Sequence, residues 1–236
     1  MIKPQLFLLH FAGGNCYSYL PLSALLKEFD VVSLELPGRG QRLDEPLLKD
    51  YDLAVQDIFH QITSKLSGAR FMLYGHSMGA YLALSVCAML EDAGKYPAYL
   101  VVSGNAGPGL REKRNTYLLE HRLFWKEVQS LGGIADELLA SMEWVALFEP
   151  VLRADYEIVE REDMDTSTLV QAPIYALMGD KEEQVEAIGN WGRYTASAFE
   201  WVILKGDHFF IFSQAAALTN AIKKCYATVT VTVIPS

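Results

Sequence analysis

Six short apolar runs, each closed by glycine or proline, constrain this chain more than any other feature. They span residues 5–10, 31–36, 70–74, 99–103, 174–178 and 201–204. Continuous apolar runs of this length suit strands covered on both faces, as in a parallel sheet. Helical periodicity fills residues 19–29, 53–66, 79–94, 187–198 and 213–226. The alternation predicts an α/β fold, a mostly parallel sheet flanked by helices. Right-handed crossovers then bring the loops after the strand C-termini to one edge, where open α/β sheets bind ligands. A chain of 236 residues fits a single domain, 1–236.

One stretch breaks the rhythm. Residues 111–170 show helical but no strand periodicity and are rich in leucine, methionine and tryptophan. A crossover needs only about a dozen residues, so the excess predicts a helical lid inserted over the active edge. At the other end, Thr228-Val229-Thr230-Val231-Thr232-Val233 alternates at period two and reads as an edge strand or a tail extension.

Hydrophobic residues make up 51% of the chain and charged residues 21%, a globular rather than disordered balance. The net charge of −9 argues against nucleic acid and anionic membrane as partners. Cys16, Cys87 and Cys225 are far apart, odd in number and without metal-ligand spacing. They read as free thiols, which suit a reducing cytoplasm. The apolar start, residues 5–11, is too short for a signal-peptide core, and no run is long enough to span a membrane. A cytoplasmic protein is expected, with no metal and no resident cofactor.

Gly75-His76-Ser77-Met78-Gly79 carries the chemistry. A G-x-S-x-G pentapeptide is a weak signal alone. Here it follows a predicted strand and opens a predicted helix, the setting that a nucleophile elbow requires. Ser77 is then held out over the sheet edge at a helix N-terminus, which favours developing negative charge. A serine hydroxyl needs a base, and the α/β-hydrolase order is serine, acid, histidine. His208, in the loop after the sixth run, fits. His10, His60, His76 and His121 read as structural or surface residues. The acid should follow the fifth run, where Asp180 and Glu182 are alternatives. Two backbone N–H groups are needed for an oxyanion hole. Met78 supplies one, and Ala12, with Phe11 second, supplies the other from the Gly-rich loop after the first run.

The chain resembles the type II, or editing, thioesterases of nonribosomal peptide and polyketide synthase systems. The likeness runs over nearly the whole length. It rests on Phe11-Ala12-Gly13-Gly14, Leu36-Pro37-Gly38-Arg39-Gly40-Gln41-Arg42, Gly75-His76-Ser77-Met78-Gly79-Ala80, Leu131-Gly132-Gly133, Leu152-Arg153-Ala154-Asp155-Tyr156 and Gly206-Asp207-His208-Phe209-Phe210. The resemblance implies an α/β-hydrolase with a lid. It also implies removal of stalled acyl or aminoacyl groups from the phosphopantetheine arm of an acyl or peptidyl carrier protein, a transient partner. Phosphopantetheine then belongs to the substrate. Two departures stand out. Glu182 occupies the place of the family's second Asp in G-D-x-D-P, with no proline after it, and any leading strand is missing.

Two other readings use the same residues: an esterase or acyltransferase on the same triad, and a catalytically idle binding module. Carrier proteins are usually acidic, as this chain is. Docking would therefore need a local basic patch, for which Arg39, Arg42, Arg111, Lys113 and Arg114 are the candidates.

Overall fold

The computed structural model describes residues 2–110, 114–134, 136–161 and 166–231. The six apolar runs become strands β1 (Gln5–Leu9), β2 (Asp30–Ser33), β3 (Phe71–His76), β4 (Leu100–Ser103), β5 (Ile174–Gly179) and β6 (Phe199–Leu204). They pair in the order β2-β1-β3-β4-β5-β6, and each of these pairings is parallel. Side chains alternate across the sheet at period two. Phe7 and Leu73 therefore face one way and Leu6, Leu8 and Met72 the other. Helices α2 (Tyr51–Lys65) and α3 (Met78–Asp92) cover the first face with Ile58, Ile62, Leu82 and Val86. Helices α1 (Leu20–Ser23), α7 (Phe210–Ser213) and α8 (Ala215–Val231) cover the second with Leu22, Phe210, Leu218 and Ile222.

The strand order positions the site. From β1 the chain moves outward to β2, then returns past β1 to β3. The direction of winding reverses between β1 and β3, so the loops leaving their C-terminal ends diverge and open a crevice. The loop after β1 begins at His10, and β3 runs directly into Ser77. The fold thus brings together two segments that the sequence keeps more than 60 residues apart.

Between β4 and β5 lie α4 (His121–Ser130), α5 (Asp136–Leu139) and α6 (Met142–Glu160), preceded by a 3-10 turn, Thr116–Leu118. Phe124, Trp125, Val128, Leu152 and Tyr156 give this insertion a small apolar cluster of its own.

Four expectations are corrected. The second strand stops at Ser33, although Leu34 and Leu36 stay buried. The predicted helix 19–29 shrinks to the four residues of α1 and then becomes turns, with Pro21 at its start. The predicted helix 187–198 is a 3-10 segment, Val185–Tyr194, holding Gly189 and Gly192; a side chain at Gly192 would press on the Phe199 ring. Residues 228–231 continue α8 rather than forming a strand, and Thr232 and Val233 lie outside the described residues. Threonine–valine alternation mimics a strand, but burial of Leu218, Ile222 and Cys225 on one side of α8 fixes the helical period upstream.

Candidate active site

The elbow is built by backbone geometry. Ser77 has φ 56° and ψ −117°, a conformation that costs free energy for a residue with a side chain. Its surroundings hold it there. Ser77 N–H donates to the Ser103 carbonyl at 2.8 Å, and Asn105 Nδ2 donates to the Ser77 carbonyl at 2.9 Å. Both partners come from the end of β4. The flanking glycines are required by close approach. A Cβ at Gly75 would run into the Gly79 carbonyl, and a Cβ at Gly79 into the Leu9 carbonyl.

His208 and Glu182 meet. His208 Nδ1 lies 2.8 Å from Glu182 Oε2, and Glu182 Oε1 accepts from Gly179 N–H at 2.7 Å. The Glu182 side chain is 4% exposed and that of His208 is 13% exposed. A carboxylate only accepts, so the proton sits on Nδ1, and Nε2 is left as the basic nitrogen. Asp180 is occupied elsewhere. It takes Lys205 Nζ at 2.6 Å and Gly206 N–H at 3.0 Å, and the Lys205 bond holds its carboxyl below the usual range. Of the two acids left open by the sequence, only Glu182 reaches the His208 ring.

The N–H groups of Ala12 and Met78 make no hydrogen bond among the described residues. Both residues, with Phe11, Ser77, Glu182 and His208, line a cavity of about 460 Å3. From the insertion, Val128, Leu131, Phe148, Leu152 and Tyr156 form its opposite wall.

The remaining histidines do separate things. His60 and His121 are exposed. His76 is fully buried, with Nδ1 2.8 Å from Ser103 Oγ, which in turn lies 2.9 Å from Tyr74 Oη. Burial, and then the neighbouring His208, push His76 well below the ordinary histidine range, so it stays neutral. Its ring centroid is 5.0 Å from that of His208, making it a wall behind the His208 ring. His10 is likewise buried. Its Nε2 accepts from Leu36 N–H at 3.3 Å, and its Nδ1 lies 2.8 Å from the Phe11 carbonyl. Burial, with Arg39 nearby, pushes His10 down to about 4.

Sequence reasoning missed Ser103, Asn105 and Asp155. The first two carry no motif and act through the elbow backbone. Asp155 was visible inside Leu152–Tyr156, but its partner lies 116 residues away.

The expected basic patch is not formed by these arginines. Arg39 is 4% exposed and grips Asp155 with both Nη atoms, at 2.5 and 2.7 Å. Arg42 is engaged by Glu45 and Asp57 at 2.6–2.8 Å. Arg114 pairs with Glu183 at 2.6 Å. Cations already neutralised within their own chain offer little to an acidic partner. Arg111 and Lys113 lie outside the described residues.

A strand-to-helix serine, a histidine fixed by a buried carboxylate, and two open N–H groups on one cavity suit acyl transfer. Comparison with known proteins agrees: the chain matches the thioesterase domain family over residues 4–226. The chain belongs to the thioesterase family. It is thus a hydrolase, which sets aside the idle binding module. It is 29% identical to thioesterase PikA5 of Streptomyces venezuelae, over 90% of this chain and 77% of that one. It is also 29% identical to the gramicidin S biosynthesis protein GrsT of Aneurinibacillus migulanus, over 90% and 84% of the two chains. Among solved structures, the type II thioesterase BorB from the borrelidin biosynthetic cluster superposes with a TM-score of 0.81 at 28% identity, covering 94% of this chain and 91% of BorB. The resemblance to type II thioesterases and the α/β-hydrolase fold are both borne out. Among the described residues, no helix is long and apolar enough to cross a membrane.

Proposed function

We propose that this thioesterase hydrolyses acyl or aminoacyl thioesters carried on the phosphopantetheine arm of an acyl or peptidyl carrier protein, with Ser77 as nucleophile. The observation that carries the reading is the Glu182–His208 contact, 2.8 Å long and shielded from solvent, beside Ser77 in one cavity. The names of GrsT and BorB attach those relatives to the biosynthesis of gramicidin S and of borrelidin, which supports a carrier-bound substrate here.

In the first step His208 Nε2 takes the Ser77 hydroxyl proton as Ser77 Oγ attacks the thioester carbonyl carbon. Charge on the carbonyl oxygen is met by the N–H groups of Met78 and Ala12. Glu182 keeps the Nδ1 proton in place and stabilises the imidazolium. The carbon–sulfur bond then breaks, and the proton passes from Nε2 to the departing sulfur, freeing the carrier thiol. Water, deprotonated by His208, attacks the acyl-serine. The acid leaves, and Ser77 recovers its proton. Helices α4 to α6 act as the lid, whose apolar wall excludes bulk water and holds the acyl chain. Cys16, Cys87 and Cys225 take no part and are unpaired, in keeping with a cytoplasmic setting.

Turnover of a short acyl thioester, of its oxygen-ester counterpart and of the same acyl group on a carrier protein tests this reading. The expected order of kcat/KM is carrier thioester, then free thioester, then oxygen ester. An oxygen ester cleaved as well as the thioesters would favour a general esterase.

A further inference from the structure

The loop that carries Ala12 is not free-standing. Asp155, on α6 of the insertion and fully buried, accepts Gly13 N–H at 2.7 Å through the same Oδ2 that Arg39 grips. Arg39 Nη1 also reaches the Gly14 carbonyl at 3.4 Å. The contact is steric as well as polar. A Cβ at Gly13, whose φ is +76°, would lie 2.8 Å from both Leu152 and Phe148. Phe148, Leu152 and Asp155 are spaced i, i+4, i+7 along α6 and so share one face. That face rests directly on the residue next to Ala12.

We infer that Asp155, oriented by Arg39, is a positioning residue for the oxyanion hole, locking the Ala12 N–H in place from the insertion helix through Gly13. The inference rests on the assignment of Ala12 under the proposed function. An oxyanion donor works because its dipole is already aimed before charge develops. A glycine-rich loop has little stiffness of its own. Here the aim is supplied from outside the loop: the Asp155 carboxylate fixes one N–H, and the two-pronged Arg39 contact fixes the carboxylate. The insertion is thereby coupled to catalysis and not only to substrate selection. If α6 moves away from the sheet edge, Gly13 loses its acceptor and the hole loses its geometry.

The test compares two double variants of the full chain. Arg39→Met/Asp155→Leu replaces the pair by apolar side chains and removes the Gly13 acceptor. Arg39→Met/Asp155→Asn restores an amide oxygen at that place without charge. Neither leaves an unpaired buried charge, the usual cause of collapse when such a pair is cut. Thermal melts confirm folding. On a short acyl thioester, Met/Leu is expected to lose about 100-fold in kcat with KM nearly unchanged. It should also bind an alkylboronic acid more weakly by a similar factor, because the tetrahedral Ser77 adduct places an oxygen in the hole. Met/Asn should recover about tenfold or more of that loss. A folded Met/Leu variant with wild-type kcat and boronate affinity overturns the inference, and so does an equal loss in both doubles. Should Met/Leu not fold, Arg39→Lys gives the same reading. It keeps the charge but loses the planar fork, and should cost about tenfold in kcat alone; an unchanged kcat there contradicts the proposal. Ser77→Ala runs alongside. If that variant stays active, the proposed function fails, whereas a positioning failure leaves Ser77→Ala dead and the doubles active.

Discussion

At the sheet edge, Ser77 hangs from backbone. β3 is wholly buried, its neighbours β1 and β4 pair along its length, and two hydrogen bonds from the end of β4 fasten the elbow itself. In the insertion, side chains do the fastening. Arg153 ties α6 to the Tyr117 and Leu119 carbonyls at 2.8 Å each, bonds Glu149, and lies 4.1 Å from the Phe124 ring centroid. Glu149 in turn accepts from Trp125 Nε1 at 2.8 Å. The insertion also leaves Met142 and Leu147 86% and 79% exposed. Backbone ladders in a buried sheet open only with the whole domain, whereas a few side-chain ties open locally. Ser77 thus stands on the part of the molecule held by backbone ladders, and the facing cavity wall on the part held by side-chain ties. Asp155 joins the two.

Five substitutions sharpen or break this contrast. The largest effect belongs to the sheet edge: Ser77→Ala should cut thioester turnover by about 10^5-fold with an unchanged melting transition. Glu182→Gln comes next, because an amide can present its NH2 group to His208 and select the wrong tautomer. A loss of about 10^4-fold in kcat is expected, against at most a few-fold for Asp180→Asn. Equal effects of the two would dissolve the distinction between the acids.

Arg153→Met probes the insertion. It should remove about 2 kcal/mol of local stability, read as faster amide exchange in α4 and α6 while amides of β1, β3 and β4 stay protected. Faster exchange throughout the sheet would mean that the two regions unfold as one.

A pH dependence completes the series. His10 is buried neutral with its value lowered to about 4. Between about 6.5 and 4 the unfolded chain therefore binds a proton that the folded chain does not, so stability present above pH 6.5 is lost as the pH falls through this window. The loss due to His10 is roughly 3 kcal/mol at its fullest. His10→Gln should flatten the curve by that amount, leaving the slope due to buried His76. Denaturant titrations at several pH values check it, and an unaltered slope would contradict a neutral, buried His10.

Much of the sheet edge was legible in the sequence because its signals are local. A strand, a sharp Gly-flanked turn and a helix occupy consecutive residues around Ser77. Strands buried on both faces write themselves as unbroken apolar runs. His208 was singled out by chain order and does line the same cavity as Ser77. Which carboxylate meets the His208 ring was not legible, because Asp180 and Glu182 are two residues apart and either could follow β5. The outcome depends on Lys205 and Gly206 capturing Asp180. Arg39 was misread for a similar reason. An arginine in a Gly-rich loop looks solvated until an aspartate 116 residues away is folded onto it. The helices that were overextended, 19–29 and 187–198, contain Pro21, Gly189 and Gly192, and their apolar spacing outweighed those interruptions.

In the proposed reaction an acyl group passes from a carrier thioester to Ser77. Rapid mixing of the enzyme with an acyl-carrier protein, an acid quench within the first turnover and intact-protein mass measurement test it directly. A transient gain equal to the acyl group is expected, mapped to the peptide containing Ser77, absent from Ser77→Ala and diminished in Glu182→Gln. Release of free acid with no acyl adduct at any time, or an adduct that persists in Ser77→Ala, would contradict it.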